Sequence, residues 1–314
     1  MQTYLDFEKP VAQLAERVAE LRETAAEGAV NIDAEIGRLE AKADRLLRDT
    51  YRQLNAWQKT QVARHPNRPH FKHYVDALAT DFVPLAGDRN FGEDRAILGG
   101  LATLNGRRVM LIGHEKGDDT ASRLRHNFGM AKPEGYRKAV RLMELASRFG
   151  LPLVTIVDTA GAFPGIQAEE RGQAEAVARS IETCLSLRVP FVAVVTGEGG
   201  SGGALAIAAA NRVLMLEHAV YSVITPEGCA SILWRTADRA PDAADAMRMT
   251  ATDLEGLGVI DRIVPEPLGG AHRDHAATVR AVGEAIGAEL DALCTKSGRE
   301  LRDERRAKFL RMGG

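Results

Sequence analysis

Five glycines fall within the seven residues Gly197-Glu-Gly-Gly-Ser-Gly-Gly203. Glycine loses more backbone entropy on folding than any other residue, so such a cluster marks positive φ or close approach of another group to the main chain. The run before it, Val189-Pro-Phe-Val-Ala-Val-Val-Thr196, is β-branched and apolar and reads as a buried parallel strand. The run after it, Ala204 to Ala210, reads as a short helix packed closely on its neighbours. A turn of this kind opens a helix whose first N–H groups lack intrahelical acceptors and point at whatever lies above them. The chemistry this suggests is hydrogen-bond donation by main-chain N–H groups to a ligand oxygen. The alternative is that the glycines serve only tight strand–helix packing.

Two motifs overlap the same stretch. Gly197-Glu-Gly-Gly-Ser-Gly202 fits the G-x-G-x-x-G dinucleotide fingerprint, with Glu217 placed for a ribose contact. The next strand, Val213–Leu216, follows too soon to leave a helix of the length that fold uses. Gly199-Gly-Ser-Gly-Gly203 also fits the G-x-S-x-G nucleophile turn, with Asp261 and His272 or His275 in the required order. His272, however, sits in a polar Gly-Gly-Ala-His-Arg segment with nothing to fix it. No H-E-x-x-H, metal-spaced His/Cys cluster or paired-carboxylate signature stands out, so oxyanion stabilisation by backbone donors is the reading that needs no side-chain nucleophile. Arg123, Arg125 and Lys132 are candidates to meet an anion, weighed against an ordinary solvated face.

These residues need a scaffold, and 314 residues supply one large domain or one core domain with an appendage. Lys and Arg total 41 against 43 Asp and Glu, a formal net charge of −2, which leaves no global basic footprint for nucleic acid. Cys184, Cys229 and Cys294 are odd in number and far apart, which argues against a disulfide framework or a zinc ribbon. There is no apolar run of bilayer length, and the first residues lack a signal peptide's charged and apolar regions. A soluble, cytoplasmic protein is expected.

Residues 10–63 carry apolar positions at helical spacing (Val11, Leu14, Val18, Leu21; then Ile32, Ile36, Leu39, Ala43, Leu46, Leu47 and Leu54). Gly28 is placed to end the first helix, and Asn31 or Asp33 to cap the second. This region is either a docking arm for another subunit or a helical hairpin folded back on its own domain. Pro66 and Pro69 break it. Residues 71–85 read as a short helix and a loop. Ile97–Leu104 and Arg107–Gly113 read as two strands joined by an Asn105-Gly106 hairpin turn, and Gly117–Arg125 as a loop or frayed turn. A βαβ series follows, with helices over 133–149 and 169–188 and strands over 151–157, 189–196, 213–216, 219–224 and 260–264. A helix begins at Pro226, another spans 250–257, and the charged tail from about 274 is helical. In such a series ligands bind at the carboxyl ends of the strands. A second glycine-rich turn, Asp158-Thr-Ala-Gly-Ala-Phe-Pro-Gly165, also lies at such an end.

Several stretches together resemble the carboxyltransferase α-subunit family of bacterial acetyl-CoA carboxylase, within the crotonase-like superfamily. They are Leu5–Pro10, Ala86–Arg89, Asn127–Met130, Pro133–Ala139, Ala168–Gln173, Gly197–Leu205, Tyr221–Trp234 and Pro265–His272, in family order over nearly the whole chain. One departure is Ala160-Gly-Ala-Phe163, where the family reads Pro-Gly-Ala-Tyr. The resemblance implies an α/β fold: a crotonase-like (ClpP/crotonase) spiral of ββα units with an N-terminal helical appendage. It divides the chain into a helical region at 1–85, a carboxyltransferase domain at 86–270 and a helical tail at 271–314.

It further implies transfer of a carboxyl group from carboxybiotin, held on a separate biotin carboxyl carrier protein, to acetyl-CoA, giving malonyl-CoA for fatty acid synthesis. Release of CO₂ leaves negative charge on the ureido oxygen, and loss of a methyl proton leaves an enolate. Each calls for N–H donors aimed where charge develops, one donor contributing about 10²–10³ in rate. The family places the biotin-side oxyanion hole on this chain, carried over to Gly202 and Gly203, with Gly199, Gly200, Gly161, Phe163 and Gly165 shaping the carboxybiotin site. The implied partners are a carboxyltransferase β subunit, in an α₂β₂ assembly that supplies the enolate side and the zinc ribbon, and biotin carboxylase. No metal is expected on this chain. ATP is used at the biotin carboxylase step, although the family associates it with the complex, and no P-loop occurs here. Rival readings are a crotonase-type hydratase using Glu169, Glu170 or Glu198, a nucleotide-binding module, and a purely structural partner protein.

Overall fold

Asn105 and Gly106 adopt positive φ of 49° and 77°, the backbone a tight two-residue hairpin requires. In the computed structural model, which describes residues 3–26 and 33–313, this hairpin joins β2 (Ile97–Leu104) to β3 (Arg107–His114) in uninterrupted antiparallel register. β1 (Ala79–Pro84) adds antiparallel to β2. From β3 onward the sheet is parallel through β4 (Leu153–Thr159), β5 (Phe191–Gly200), β6 (Arg212–Leu216) and β8 (Arg262–Val264), while the short β7 (Val220–Ser222) pairs with the far end of β5. β4 and β5 are buried along their whole length, which explains why they read as unbroken apolar runs rather than alternating ones.

The helix Pro133–Phe149 starts with proline in its first turn and stops at Gly150 in the left-handed conformation, φ 65°. It packs on the helix Gln173–Ser186 over the sheet. The single helix expected over 169–188 is instead two, Ile166–Glu170 and Gln173–Ser186, because Gly172 turns left-handed between them (φ 80°). The loop expected over 117–125 contains the helix Thr120–Arg125, capped by Asp119, whose Oδ1 accepts the Ser122 N–H at 2.9 Å. None of its residues is buried, so no apolar period announces it. β1 likewise replaces an expected loop: it is a half-exposed edge strand with a register shift between Thr80 and Val83 and a terminal proline. It places the sheet's edge before residue 86. The helix Ala240–Met247 was not foreseen either.

The N-terminal region forms the helices Lys9–Ala26, Asp33–Arg52 and Ala56–Ala63. Gly28, Asn31 and Ile32 lie outside the described residues. The base of this hairpin is folded onto the rest of the chain: buried Glu8 accepts from Tyr51 Oη at 3.1 Å and from Arg273 at 2.6 Å. The tail forms the helices His275–Leu293 and Gly298–Arg311. Buried Arg305 anchors the second by donating to the carbonyls of Cys184, Leu187 and Val189 just before β5. Among the described residues no helix is long and apolar enough to cross a membrane.

Candidate functional site

The carboxyl ends of β4 and β5 lie side by side, and each ends in an acid. Asp158 follows the buried run of β4, and Glu198 sits within the glycine stretch of β5. The main-chain N–H of Glu198 donates to Asp158 Oδ1 at 2.9 Å. The same oxygen lies 2.7 Å from Lys116 Nζ, which reaches Glu198 Oε2 at 3.1 Å. Glu198 Oε1 accepts from Arg64 Nε at 2.6 Å, and Arg64 continues to Glu227 in the helix Pro226–Trp234. Burial would raise the Asp158 carboxyl, but Lys116 and the neighbouring His70 outweigh it and hold the group well below the usual carboxylate range. Burial would lower Lys116, and the two carboxylates reverse that and raise it. Asp158 and Lys116 therefore stay charged.

Beside this chain of charges lies a cavity of about 220 Å³ lined by Arg64, His70, Lys116, Phe128, Asp158 and Glu198, among others. His70 is only 4 % exposed, and neither ring nitrogen has a hydrogen-bond partner among the described residues; Nδ1 lies 3.7 Å from Asp158 Oδ2. Phe128 is half exposed at the cavity and, with Asn127 and Gly129, forms three consecutive positive-φ residues (54°, 47° and 78°). Non-glycine residues held in that region carry strain that surrounding structure must offset.

The glycine stretch is not one exposed turn. β5 runs on through Gly200, pairing Gly199 with Thr159 and with Tyr221, and the helix that follows, Ser201–Leu205, begins only at a serine with φ 54°. The strand had been expected to end at Thr196. Four of the five glycines there are explained by protein atoms. A Cβ would lie 2.4 Å from Asp158 Oδ1 at Gly197, 2.6 Å from the Tyr221 ring at Gly199, 2.1 Å from the Ala160 carbonyl at Gly200, and 2.6 Å from Ala162 N at Gly203. Gly202 is different: its only near neighbour would be Val177 Cγ1 at 3.2 Å. Both readings of the cluster thus hold, at different residues.

Those contacts also bring the two glycine-rich turns together. Gly200 and Gly203 press on Ala160, Gly161 and Ala162, so the second turn packs directly against the first. Gly161 has φ 151° with open space where a side chain would be. Phe163 is half-buried; its ring covers Gly165, where a Cβ would lie 2.3 Å away, and Lys132 Nζ stands 5.0 Å from the ring centroid. First-turn N–H groups of a helix lack intrahelical acceptors, and among the described residues those of Gly202 and Gly203 have no other acceptor. Both lie beside the meeting point of the two turns, Gly202 partly exposed and Gly203 buried.

The other sequence candidates are committed elsewhere. Asp261 accepts from the Val213 N–H and from Lys308, and His272 is stacked on His65, so they do not assemble with Ser201. Glu217 accepts the Glu266 N–H, and the first two glycines of the G-x-G-x-x-G match, Gly197 and Gly199, are closed over by Asp158 and Tyr221. Glu169 and Glu170 are exposed on their short helix, and Glu198 is tied to two cations. Arg123 donates to the carbonyls of Gly117 and Pro66, and Arg125 is exposed. Arg64, His70 and Lys116 were not foreseen, because they come from three separate segments with no spacing in common. Asp158 carried a signal, a charge at the end of a wholly buried strand.

Parallel strands ending in two interlocked glycine turns make an architecture that solved structures of the crotonase fold share. Transcarboxylase 12S with methylmalonyl-coenzyme A bound superposes with a TM-score of 0.60 at 19 % identity, covering 73 % of this chain and 42 % of that one. A Pseudomonas malonate decarboxylase hetero-tetramer in complex with coenzyme A gives 0.60 at 18 % identity, covering 74 % and 90 %. The β subunit of P. aeruginosa geranyl-CoA carboxylase gives 0.57 at 17 %, covering 83 % and 47 %. In sequence, residues 4–313 match the family described as acetyl co-enzyme A carboxylase carboxyltransferase-like. The acetyl-coenzyme A carboxylase carboxyl transferase subunit alpha of Rhizorhabdus wittichii is 69 % identical over 313 residues, and that of Zymomonas mobilis 66 % over 314, each covering 100 % of both chains. The chain belongs to the family of acetyl-CoA carboxylase carboxyltransferase α subunits.

Proposed function

We propose that this chain supplies the biotin side of a divided carboxyltransferase site, in which Gly202 and Gly203 donate main-chain hydrogen bonds to the oxygen on which charge develops as the carboxyl group leaves. Carboxybiotin, held on a separate carrier protein, supplies that carboxyl group. The observation that carries the reading is the pair of N–H groups without acceptors at the junction of the two glycine turns. Such donors act by being fixed in place before charge appears, so no reorganisation is needed during the step. The packing of Gly200 and Gly203 on the Ala160–Ala162 backbone supports that rigidity. Gly161, with open space above it, and Phe163, on the rim, are the residues this reading sets against the biotin ring, with Gly199, Gly200 and Gly165 shaping the turns.

Asp158 and Glu198, the carboxylates nearest these donors, are both engaged by cations and so are not free to act as a base. That supports leaving the acetyl-CoA enolate to a partner β subunit in an α₂β₂ assembly, which acts in the cytoplasm with the biotin carrier and an ATP-using biotin carboxylase. The transcarboxylase and geranyl-CoA carboxylase chains, of which this chain covers less than half, agree with a second half-site elsewhere.

The test is malonyl-CoA formation from carboxybiotin and acetyl-CoA, with this chain alone and with a carboxyltransferase β subunit added. Activity only in the mixture is expected. A Gly202→Val complex should fold and lose activity, because the branched side chain blocks the donors; wild-type turnover in that complex overturns the reading.

A further inference from the structure

Lys116 lies two residues beyond the end of β3, on a segment fastened at several points. Buried Glu115 accepts N–H groups from Lys72 at 3.0 Å and from Gly117 at 2.7 Å, and its own N–H donates to the Ala96 carbonyl at 2.9 Å. From this anchored position Lys116 Nζ stands between Asp158 and Glu198 and contacts both. Two glycines are shaped around the arrangement. A Cβ at Gly197 would strike the Asp158 carboxylate, and one at Gly129 would lie 3.0 Å from Lys116 Cγ and 2.8 Å from the Asp158 carbonyl.

We infer that Lys116 is a positioning residue for carboxyl transfer: by bridging Asp158 and Glu198 it locks the end of β5, and so sets the direction of the Gly202 and Gly203 N–H groups. The inference rests on the role proposed above for those two glycines. Its physical basis is the double attachment of Glu198, whose main chain and side chain are held by Asp158, Lys116 and Arg64 from three other segments. Four residues further on stands Gly202. Without the ammonium, two carboxylates face each other across buried space and lose the one cation that contacts both. They separate, the Glu198–Asp158 hydrogen bond opens, and the strand end carries the donors with it. A displacement near 1 Å from productive geometry costs on the order of 10²-fold in rate.

The experiment compares Lys116→Met, Lys116→Arg, Glu198→Gln and Gly202→Val in the complex reconstituted with the β subunit, each checked for folding by circular dichroism. For Lys116→Met we expect kcat to fall about 10- to 100-fold with KM for acetyl-CoA within about threefold, since only a transition-state interaction is disturbed. Arginine should restore part of kcat by keeping the bridging charge. If the methionine variant does not fold, Glu198→Gln carries the test, because it keeps the side chain's shape and weakens both ion pairs; a loss of several-fold in kcat at unchanged KM is expected there. A folded Lys116→Met complex, or failing that Glu198→Gln, with kcat within about twofold of wild type overturns the inference. So does a loss in which KM rises in step and arginine restores nothing, which assigns Lys116 to folding alone. Gly202→Val separates the two ideas: if it is inactive while Lys116→Met is normal, only the positioning role falls, and if it is fully active, the glycine reading itself falls.

Discussion

His65 and His272 lie stacked, ring centroids 3.7 Å apart and planes 17° from parallel, and neither nitrogen of His272 has a hydrogen-bond partner among the described residues. Burial is the main cause that lowers both; for His272 the neighbouring His65, Arg68 and Arg273 add to it and bring it to about 3. His114, lowered to about 4, and His218 are displaced in the same direction, again chiefly by burial. Each is neutral when folded and takes up a proton on unfolding below its ordinary value of 6.5. The stability this contributes is present above that value and is lost as pH falls toward the folded one. Replacing His272 by Phe keeps the stack and removes one such proton. Between pH 6.5 and 3 the slope of unfolding free energy against pH should fall by about 1.4 kcal/mol per pH unit. Urea titrations at a series of pH values measure this, and equal slopes in the two proteins would refute it.

Arg68 and Glu266 form a second buried pair, joined by two hydrogen bonds of 2.8 Å, with Arg68 also donating to the Thr196 carbonyl in β5. Burial would raise Glu266, but Arg68 holds it at about 2. The sign is the reverse of an isolated buried acid: its stabilisation is present above pH 4.5 and fades as pH falls toward 2. Arg68→Met leaves the carboxylate buried without its cation, which should cost roughly 3–5 kcal/mol. Chemical denaturation at neutral pH reads the loss, and a cost below about 1 kcal/mol would mean that the pair is readily replaced by packing.

The glycines of the two turns should separate by the room available to each. Gly200→Ala forces a methyl group onto the Ala160 backbone, and Gly203→Ala onto Gly161 and Ala162; neither neighbour can rotate away. Both should destabilise by roughly 1–3 kcal/mol or more, as overpacked cores do. Gly202→Ala meets only the Val177 methyl at 3.2 Å, which a few tenths of an ångström of side-chain movement relieves. Its thermal midpoint should stay near that of the parent. If Gly200→Ala and Gly202→Ala melt alike, the close approach of the two turns is misjudged.

Cys184 is fully buried, and burial pushes its thiol up to about 12, whereas Cys294 is exposed. An alkylating reagent applied to the folded protein at mild alkaline pH should label Cys294 and leave Cys184 unmodified until denaturant is added. Peptide mass spectrometry would show it, and labelling of Cys184 in the native state would mean that the helix Gln173–Ser186 opens.

What the chain's own order of residues determined was local and near-neighbour. The Asn105-Gly106 hairpin, the proline start and glycine stop of the helix Pro133–Phe149, and the buried runs of β4 and β5 follow from turn chemistry and from burial on both faces. The motifs spread along the chain were also enough to indicate the family. Elements without an apolar period, such as β1 at the sheet's edge and the helix Thr120–Arg125, left no trace, because no residue in either is fully buried. The site was legible only in part. Glycines in number mark close approach, but whether a ligand or the protein's own atoms do the approaching depends on what stands opposite. That was decided by tertiary structure: Asp158, Tyr221 and Ala160 occupy the space at Gly197, Gly199 and Gly200, and Gly202 alone of the cluster is left with room. The bridge of Lys116 to Asp158 and Glu198 was decided the same way, since the fold alone brings together charges 42 and 82 positions apart in sequence, and no spacing encodes a contact of that range.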